Sequence, residues 1–337
     1  MVKTLTLLKY TGCLSIFLLL SACSNPGTKK TAQIEKLDPA LSAILDENPE
    51  SDIIAEGFVW CEGPVWLAAS KKLIFSDVPK NIIYSWSEAA GLQKYLEPSG
   101  YTGAVPREGE MGSNGLALSI DNQLLLCQHG DRKVAVMNAP LTDPRPTFIT
   151  LADNVDGKKF NSPNDLAVRN NGDIYFTDPP YGLMGLDDDP AKETPFNGVY
   201  RISKGKVTLL IDTLTKPNGI AFLPGGKTFI IGNSDNAKPI WYAFDIDDQD
   251  SIRNARIFYN PVAEYKKYGR GPDGLKVDKA GNVFASGPGG IMIFNQNGKV
   301  LGKILLEGRV SNCALADDDK TLFVTNEDRV VRIKLKK

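Results

Sequence analysis

The chain has 337 residues, with 39 lysines and arginines against 40 aspartates and glutamates, and a formal net charge of −1. No basic block interrupts this balance, which excludes a nucleic-acid-binding protein and an electrostatic membrane patch. Of the five cysteines, Cys61, Cys127 and Cys313 lie beyond residue 23; their scatter fits neither a disulfide framework nor a thiolate metal site, so we expect three buried apolar residues.

Residues 1–22 predict a signal peptide. Lys3 and Lys9 precede an apolar run, Leu14–Leu20, that is too short to span a bilayer. Small residues then lead into Cys23, an arrangement that resembles the bacterial lipobox, in which this cysteine is lipidated. We therefore expect an exported lipoprotein anchored to the cell envelope, on the periplasmic face if the organism is Gram-negative. The polar residues 23–50 predict a tether, with a helical turn over Ala40–Leu45.

From residue 51 onward, one short pattern recurs six times: an oxygen-bearing side chain, usually a small residue, and then an apolar strand. The spacings are 52, 50, 54, 55 and 39 residues, which is the period of a propeller blade. The six oxygen-bearing residues are Glu62, Asn114, Asn164, Asn218, Asp273 and Asn312.

Each repeat continues with a turn, a second β-rich run such as Asp173–Thr177, and further strands, so that about four strands fall in each unit. The last repeat has only three strands before Lys337, and the missing one is predicted at Asp52–Phe58. The fold class is therefore all-β: a six-bladed β-propeller over residues 51–337, with four antiparallel strands per blade, closed by an N-terminal strand that completes the last blade. The regular spacing argues against a β-sandwich or two domains.

The first strand of each propeller blade lines the central channel, so the six oxygen-bearing residues are expected to converge near one mouth. Converging polar groups are costly unless something satisfies them. Because the set offers oxygen without sulfur or imidazole, it favours a hard divalent cation, Ca²⁺ before Mg²⁺ or Mn²⁺, and argues against structural Zn²⁺, although Zn²⁺ stays an alternative. The other interpretation is that these residues merely form turns at the starts of blades.

Five motifs, in order, resemble those of the gluconolactonase/regucalcin family: Trp60–Trp66, Asn161–Leu166, Ile174–Pro179, Lys216–Ile220 and Gly271–Leu275. The resemblance implies a six-bladed, calcium-dependent propeller that hydrolyses sugar lactones. It implies metal ligands at Glu62, Asn218 and Asp273, with Asn164 as a further ligand or substrate contact.

Two positions depart from the relatives. Ser162 stands where regucalcin-like members have an arginine that contacts substrate, and this chain has a single histidine, His129, where paraoxonases use a pair. The sugar-acid specificity of the family is therefore only loosely implied.

The mechanism we expect is attack of water on a lactone carbonyl polarised by the cation, since the chain lacks a Gly-x-Ser-x-Gly elbow. Asp273 is the first candidate base and His129 the second, with Asn114, Asn164 and His129 as substrate contacts. We expect His129 at the mouth together with Asp77, Asp178 and Ser234, which hold matching positions in other repeats. The loops Glu97–Ser113 and Pro179–Phe196 are expected to roof the pocket.

We expect a monomer that acts on a small-molecule lactone. Two alternatives stay open: a non-catalytic propeller that binds a ligand or partner above a structural metal, and a phosphotriesterase-like hydrolase.

Overall fold

The structure is a computed structural model that describes residue 1, residues 32–105 and residues 107–336. The signal peptide, the lipidation site Cys23 and the start of the tether therefore lie outside the described residues, apart from Met1. Within the described ranges, no helix has the length and apolar character needed to cross a bilayer.

The strands form six main antiparallel sheets and one small hairpin. Two strands precede the first blade, β1 (Gln33–Lys36) and β2 (Ser51–Glu56); the first blade then contains β3 (Cys61–Leu67), β4 (Lys72–Asp77), β5 (Ile82–Ser87) and β6 (Gly91–Leu96), and the second contains β7 (Ser113–Leu118), β8 (Leu124–Gln128), β9 (Lys133–Met137) and β10 (Phe148–Ala152). The small hairpin of β11 (Asn154–Val155) and β12 (Lys158–Lys159) leads to the third blade, β13 (Leu166–Val168), β14 (Ile174–Asp178), β15 (Gly198–Ser203) and β16 (Lys206–Ile211), and to the fourth, β17 (Pro217–Phe222), β18 (Thr228–Asn233), β19 (Ile240–Ile246) and β20 (Ile252–Tyr259). The fifth blade contains β21 (Leu275–Val277), β22 (Val283–Gly287), β23 (Gly290–Phe294) and β24 (Val300–Leu305), and the sixth contains β25 (Val310–Ala316), β26 (Thr321–Asn326) and β27 (Arg329–Lys334). One α-helix, Val262–Tyr268, and short 3-10 helices at Pro39–Ala43, Ala68–Ser70 and Leu186–Asp188 complete the described structure.

The predicted six-bladed β-propeller is confirmed. In the first four blades the strands run antiparallel in chain order from the first strand outward, and the fifth and sixth blades follow the same order except for an N-terminal strand added at the outer edge of each. In the sixth sheet, β2 pairs with β27 and takes the outermost position, with Ser51 opposite Ile333 and Glu56 opposite Arg329.

The hydrophobic core lies between neighbouring blades. Phe75 of the first blade packs in one cluster with Phe323 of the sixth, and Tyr175 of the third with Phe229 of the fourth. Because both faces of a blade are covered, the second strands carry apolar residues at successive positions, as in Leu124–Cys127. The three described cysteines are free and buried between blades, as predicted.

The expectation of a tether is wrong for residues 33–45. Strand β1 pairs antiparallel with β24 and makes the fifth blade five-stranded. After it, Asp38 caps the 3-10 helix by accepting a hydrogen bond from the Ala40 amide at 2.8 Å, where a helical turn was expected. Leu41 and Leu45 are buried against the core, and this apolar burial holds the segment on the propeller.

Candidate metal and active site

Close packing of the first strands explains why four of the six repeats place glycine directly after the oxygen-bearing residue. A Cβ atom at Gly63 would lie 2.2 Å from the carbonyl oxygen of Asn114, and one at Gly219 would lie 2.2 Å from that of Asp273. The first strands of successive blades thus approach too closely at the axis for any side chain at these positions.

The same contacts bring the six oxygen-bearing residues together. Gly115, next to Asn114, donates a hydrogen bond to the carbonyl of Asn164 at 2.7 Å, and Gly274, next to Asp273, lies against the side chain of Asn312. The amide of Asn312 then donates to Glu62 Oε2 at 3.2 Å and joins the sixth blade to the first. We call the six residues the axial ring. Their roles as ligands or substrate contacts stay predictions.

The axial ring is a buried concentration of negative charge. Glu62, Asn114, Asn164 and Asn218 are only 3–5% exposed, whereas Asp273 is partly exposed. Burial raises the pKa of Glu62 from 4.5 to about 8, against the hydrogen bond from the Gly63 amide. Burial, and then repulsion from the carboxylates of Glu62 and Glu110, also hold the pKa of Asp273 well above its usual range.

These carboxylates fit a hard cation. Glu62, Asn164, Asn218 and Asp273 supply two carboxylates and two amide oxygens, the donors that Ca²⁺ prefers, and a divalent charge would relieve the repulsion between the carboxylates. Within the described ranges, no group of three or more His, Cys, Asp and Glu side chains is placed to hold a metal. A cation here would therefore depend on the amides as well as the carboxylates.

Asn312 is the exception in the axial ring, because it presents nitrogen. Its Oδ1 accepts from the backbone amide of Cys313 at 2.9 Å and from Lys276 Nζ at 3.3 Å, and both of these groups only donate. Its Nδ2 must therefore face Glu62. The expectation that all six residues turn oxygen toward the axis is wrong here, and Asn312 positions Glu62 instead.

Below the axial ring the channel holds an ion pair that the sequence analysis missed. Asp165 Oδ2 lies 3.8 Å from Lys276 Nζ, and Asn312 Nδ2 approaches the same oxygen at 3.4 Å. Asp165 is 1% exposed. Two signals were available: Asp165 occupies the position of glycine in most repeats, and Lys276 interrupts an apolar strand.

Asn218 is oriented by a chain of hydroxyl groups. Its Nδ2 donates to Ser234 Oγ at 3.0 Å, and Ser234 in turn lies 2.9 Å from the hydroxyl of Tyr181. The Asn218 side chain also hydrogen-bonds Asp273, which partly offsets the rise in the Asp273 pKa. Its nitrogen is thereby engaged, and its oxygen is left for a ligand.

The two long loops are hydrogen-bonded to each other, and the second loop reaches the axial ring through Tyr181 and Ser234. Arg107 of the first loop donates to the carbonyl of Gly130 at 2.7 Å and to that of Gly182 in the second loop. Ser162 donates to the Pro179 carbonyl at 2.6 Å and accepts from the Gly182 amide at 2.8 Å. Ser162 therefore anchors the second loop.

His129 directly follows β8, and its side chain is completely buried. Its Nδ1 lies 3.4 Å from Oε2 of Glu110, a residue of the first loop that sequence reasoning missed. Because this loop has no regular structure, its many polar residues were the only signal in the sequence that could have pointed to Glu110.

Asp77 and Asp178 do not line the mouth with His129. The carboxylate of Asp178 accepts the backbone amides of Asn161 and Ser162 at 2.8 and 2.7 Å, and Asp77 accepts those of residues 59 and 60. Each of these two carboxylates therefore holds the segment that leads into the first strand of its own blade. Burial raises the pKa of Asp178 to about 7, against those two hydrogen bonds.

Comparisons with known proteins agree with this architecture. The gluconolactonase of Zymomonas mobilis is 38% identical over 325 residues, which cover 94% of this chain and 90% of that protein. The solved structure of a gluconolactonase from Xanthomonas campestris has 28% sequence identity and a TM-score of 0.77, covering 90% of this chain and 95% of that one.

A more distant structure shares the fold alone. It is regucalcin from Agrobacterium tumefaciens, a calcium-binding protein with 17% identity and a TM-score of 0.64, covering 86% of this chain and 95% of that one. The model of the family described as SMP-30/Gluconolactonase/LRE-like region matches residues 60–327. The resemblance inferred from the five motifs is confirmed, and the chain belongs to the SMP-30/gluconolactonase/LRE-like family.

Proposed function

We propose that the protein is a metal-dependent lactonase that opens the ring of a sugar lactone such as gluconolactone. The observation that carries the proposal is the convergence of Glu62, Asn164, Asn218 and Asp273 at the channel mouth. The identity of 38% to a gluconolactonase over nearly the whole chain supports the same activity. Ca²⁺ is the proposed ion because the donors are all oxygens, with Mg²⁺, Mn²⁺ and Zn²⁺ as alternatives.

When bound, the cation would polarise the lactone carbonyl and stabilise the negative charge that develops on its oxygen. Water adds its oxygen to the carbonyl carbon, and one of its protons passes to Asp273 or His129. The bond between the carbonyl carbon and the ring oxygen then breaks, and the leaving oxygen takes a proton. The product is the open hydroxy acid.

The remaining groups bind and enclose the substrate. Asn114 and Asn164 offer amide groups at the buried edge of the site, where a hydrogen bond to a substrate hydroxyl discriminates strongly. Because the two loops are joined to each other beside the axial ring, the substrate proposed is small. We also propose that the protein works as a monomer, exported and anchored to the cell envelope through a lipid on Cys23.

The test is a panel of lactones assayed with Ca²⁺, Mg²⁺, Mn²⁺, Zn²⁺ or a chelator, with gluconolactone included. We expect the chelator to abolish hydrolysis and Asp273→Asn to do so while the chain stays folded. The matched control is Asp121→Asn, an exposed carboxylate in the turn between β7 and β8.

Two outcomes would overturn the proposal. Melting shifts with lactones but no hydrolysis of any of them would favour a binding propeller with a structural metal. Faster hydrolysis of organophosphates than of lactones would favour a phosphotriesterase-like enzyme.

A further inference from the structure

His129 is the only histidine in the chain, and its imidazole is completely buried. Within the part of the chain that the structure describes, neither ring nitrogen has a formed hydrogen bond. The carboxylate of Glu110 faces the ring, with Oε2 3.4 Å from Nδ1, beyond a normal hydrogen bond. Contacts of this kind in empty active sites often shorten when substrate binds.

Backbone hydrogen bonds and the second loop hold the main chain and the Cβ atom of His129 in place without Glu110. The His129 amide donates to the Gly112 carbonyl at 3.2 Å, and the His129 carbonyl accepts from the Arg132 amide at 3.2 Å. On the other side, a Cβ atom at Gly182 would lie 3.0 Å from His129 Cβ, so this loop packs directly on the histidine. Glu110 is therefore not needed to hold the His129 backbone, and its effect is on which ring nitrogen carries the hydrogen.

A carboxylate only accepts hydrogen bonds, whereas a neutral imidazole has one N–H donor and one bare nitrogen. Glu110 facing Nδ1 favours the tautomer with hydrogen on Nδ1 and a lone pair on Nε2. We propose that Glu110 is a positioning residue that fixes this tautomer and thereby makes His129 Nε2 the base of the proposed lactone hydrolysis.

The location of the pair supports this assignment. Glu110 acts electrostatically on both Glu62 and Asp273, which places it beside the axial ring. The Glu110 side chain is 33% exposed, so its carboxylate meets solvent on one side and the buried imidazole on the other. Asp273 is a proposed metal ligand, and a carboxylate that binds a cation is a poorer proton acceptor. The imidazole of His129 is not a proposed metal ligand, so its basicity is not reduced in this way.

The inference rests on the proposed function and refines its proton transfer. As the oxygen of water bonds to the carbonyl carbon, its proton passes to Nε2 and the ring becomes imidazolium, with its positive charge beside the Glu110 carboxylate. When the bond between the carbonyl carbon and the ring oxygen of the lactone breaks, His129 Nε2 returns that proton to the leaving oxygen. The imidazole is then neutral again, and no oxidant or other reactant is needed.

A single histidine makes the test direct. Long-range ¹H–¹⁵N NMR spectra of the full chain, prepared without a histidine tag, report its tautomer without assignment. We expect the Nδ1–H form in the wild type and in Glu110→Asp, and a shift toward Nε2–H in Glu110→Ala. Glu108→Ala, an exposed glutamate in the same loop, is the matched control. An Nε2–H wild type, or no change in Glu110→Ala, would overturn the inference.

Kinetics on the lactone separate the positioning role from a structural one. Glu110→Ala should lower kcat roughly 10- to 100-fold with little change in KM, and Glu110→Asp should recover most of it. His129→Gln should lower kcat at least as much. An unchanged kcat in His129→Gln would overturn the role of base. A chain without lactonase activity would contradict the proposed function, while the NMR result would still decide the tautomer.

Discussion

Replacing Glu62 with glutamine tests the charge of the axial ring. The pKa of Glu62 is raised from 4.5 to about 8, and each unit of difference between the folded and unfolded pKa corresponds to about 1.4 kcal/mol. At pH 7 the unfolded chain has Glu62 ionised whereas the folded chain keeps it mostly protonated, and this difference lowers stability by on the order of 3 kcal/mol relative to acidic pH, where both states are protonated. Because the folded chain binds this proton more tightly, stability without a cation falls as pH rises from about 4.5 to about 8.

Glutamine does not ionise, so the stability of Glu62→Gln should not show the decrease with rising pH that Glu62 causes. Urea unfolding with a chelator, between about pH 5 and pH 8, should show the wild type losing on the order of 3 kcal/mol more than the variant. With Ca²⁺, the wild type should gain most at the alkaline end, where protons no longer compete for the oxygens. Parallel stability curves for the two proteins would refute the reasoning.

Three further substitutions test the architecture around the axial ring. Gly274→Ala places a methyl group 2.0 Å from Asn312 Cγ, so urea unfolding should show a loss of about 1–3 kcal/mol; Gly271→Ala, with its nearest neighbour at 3.3 Å, should lose less. Arg107→Ala removes the hydrogen bond that joins the first loop to Gly182 of the second, and another to the Gly130 carbonyl, so limited proteolysis within residues 97–112 should become faster with little change in the global unfolding midpoint; unchanged cleavage would show that Arg107 does not hold the first loop. Asp178→Asn exchanges one acceptor oxygen for an N–H donor, and unfolding at pH 8 should show a loss of about 1–3 kcal/mol.

The repeat made most of the fold predictable from the sequence. A residue type that returns once per blade marks the same place in each blade, so the positions of Glu62, Asn218 and Asp273 around one axis followed from the spacing alone. The glycine after each of them carried the same information, because only glycine allows neighbouring first strands to come so close.

The remaining features depend on contacts that no repeat encodes. Glu110 lies in an irregular loop whose path is held by Arg107, and such a path cannot be read from local sequence. The direction of the Asn312 amide depends on Lys276, which belongs to another blade. The burial of Leu41 and Leu45 was missed because the segment that contains them is short, rich in polar residues and proline, and without strand alternation, so its apolar residues did not show which partner they pack against.

The fifth strand of the fifth blade determines where the upstream chain departs. Since β1 is hydrogen-bonded to the outermost strand of that blade, residue 32 leaves from the flank of the disc and not from the channel mouth. About nine residues separate it from Cys23, and a fully stretched chain of that length reaches roughly 30 Å. A lipid at Cys23 would thus attach the protein through the outer edge of its fifth blade, with residue 32 within roughly 30 Å of the membrane surface.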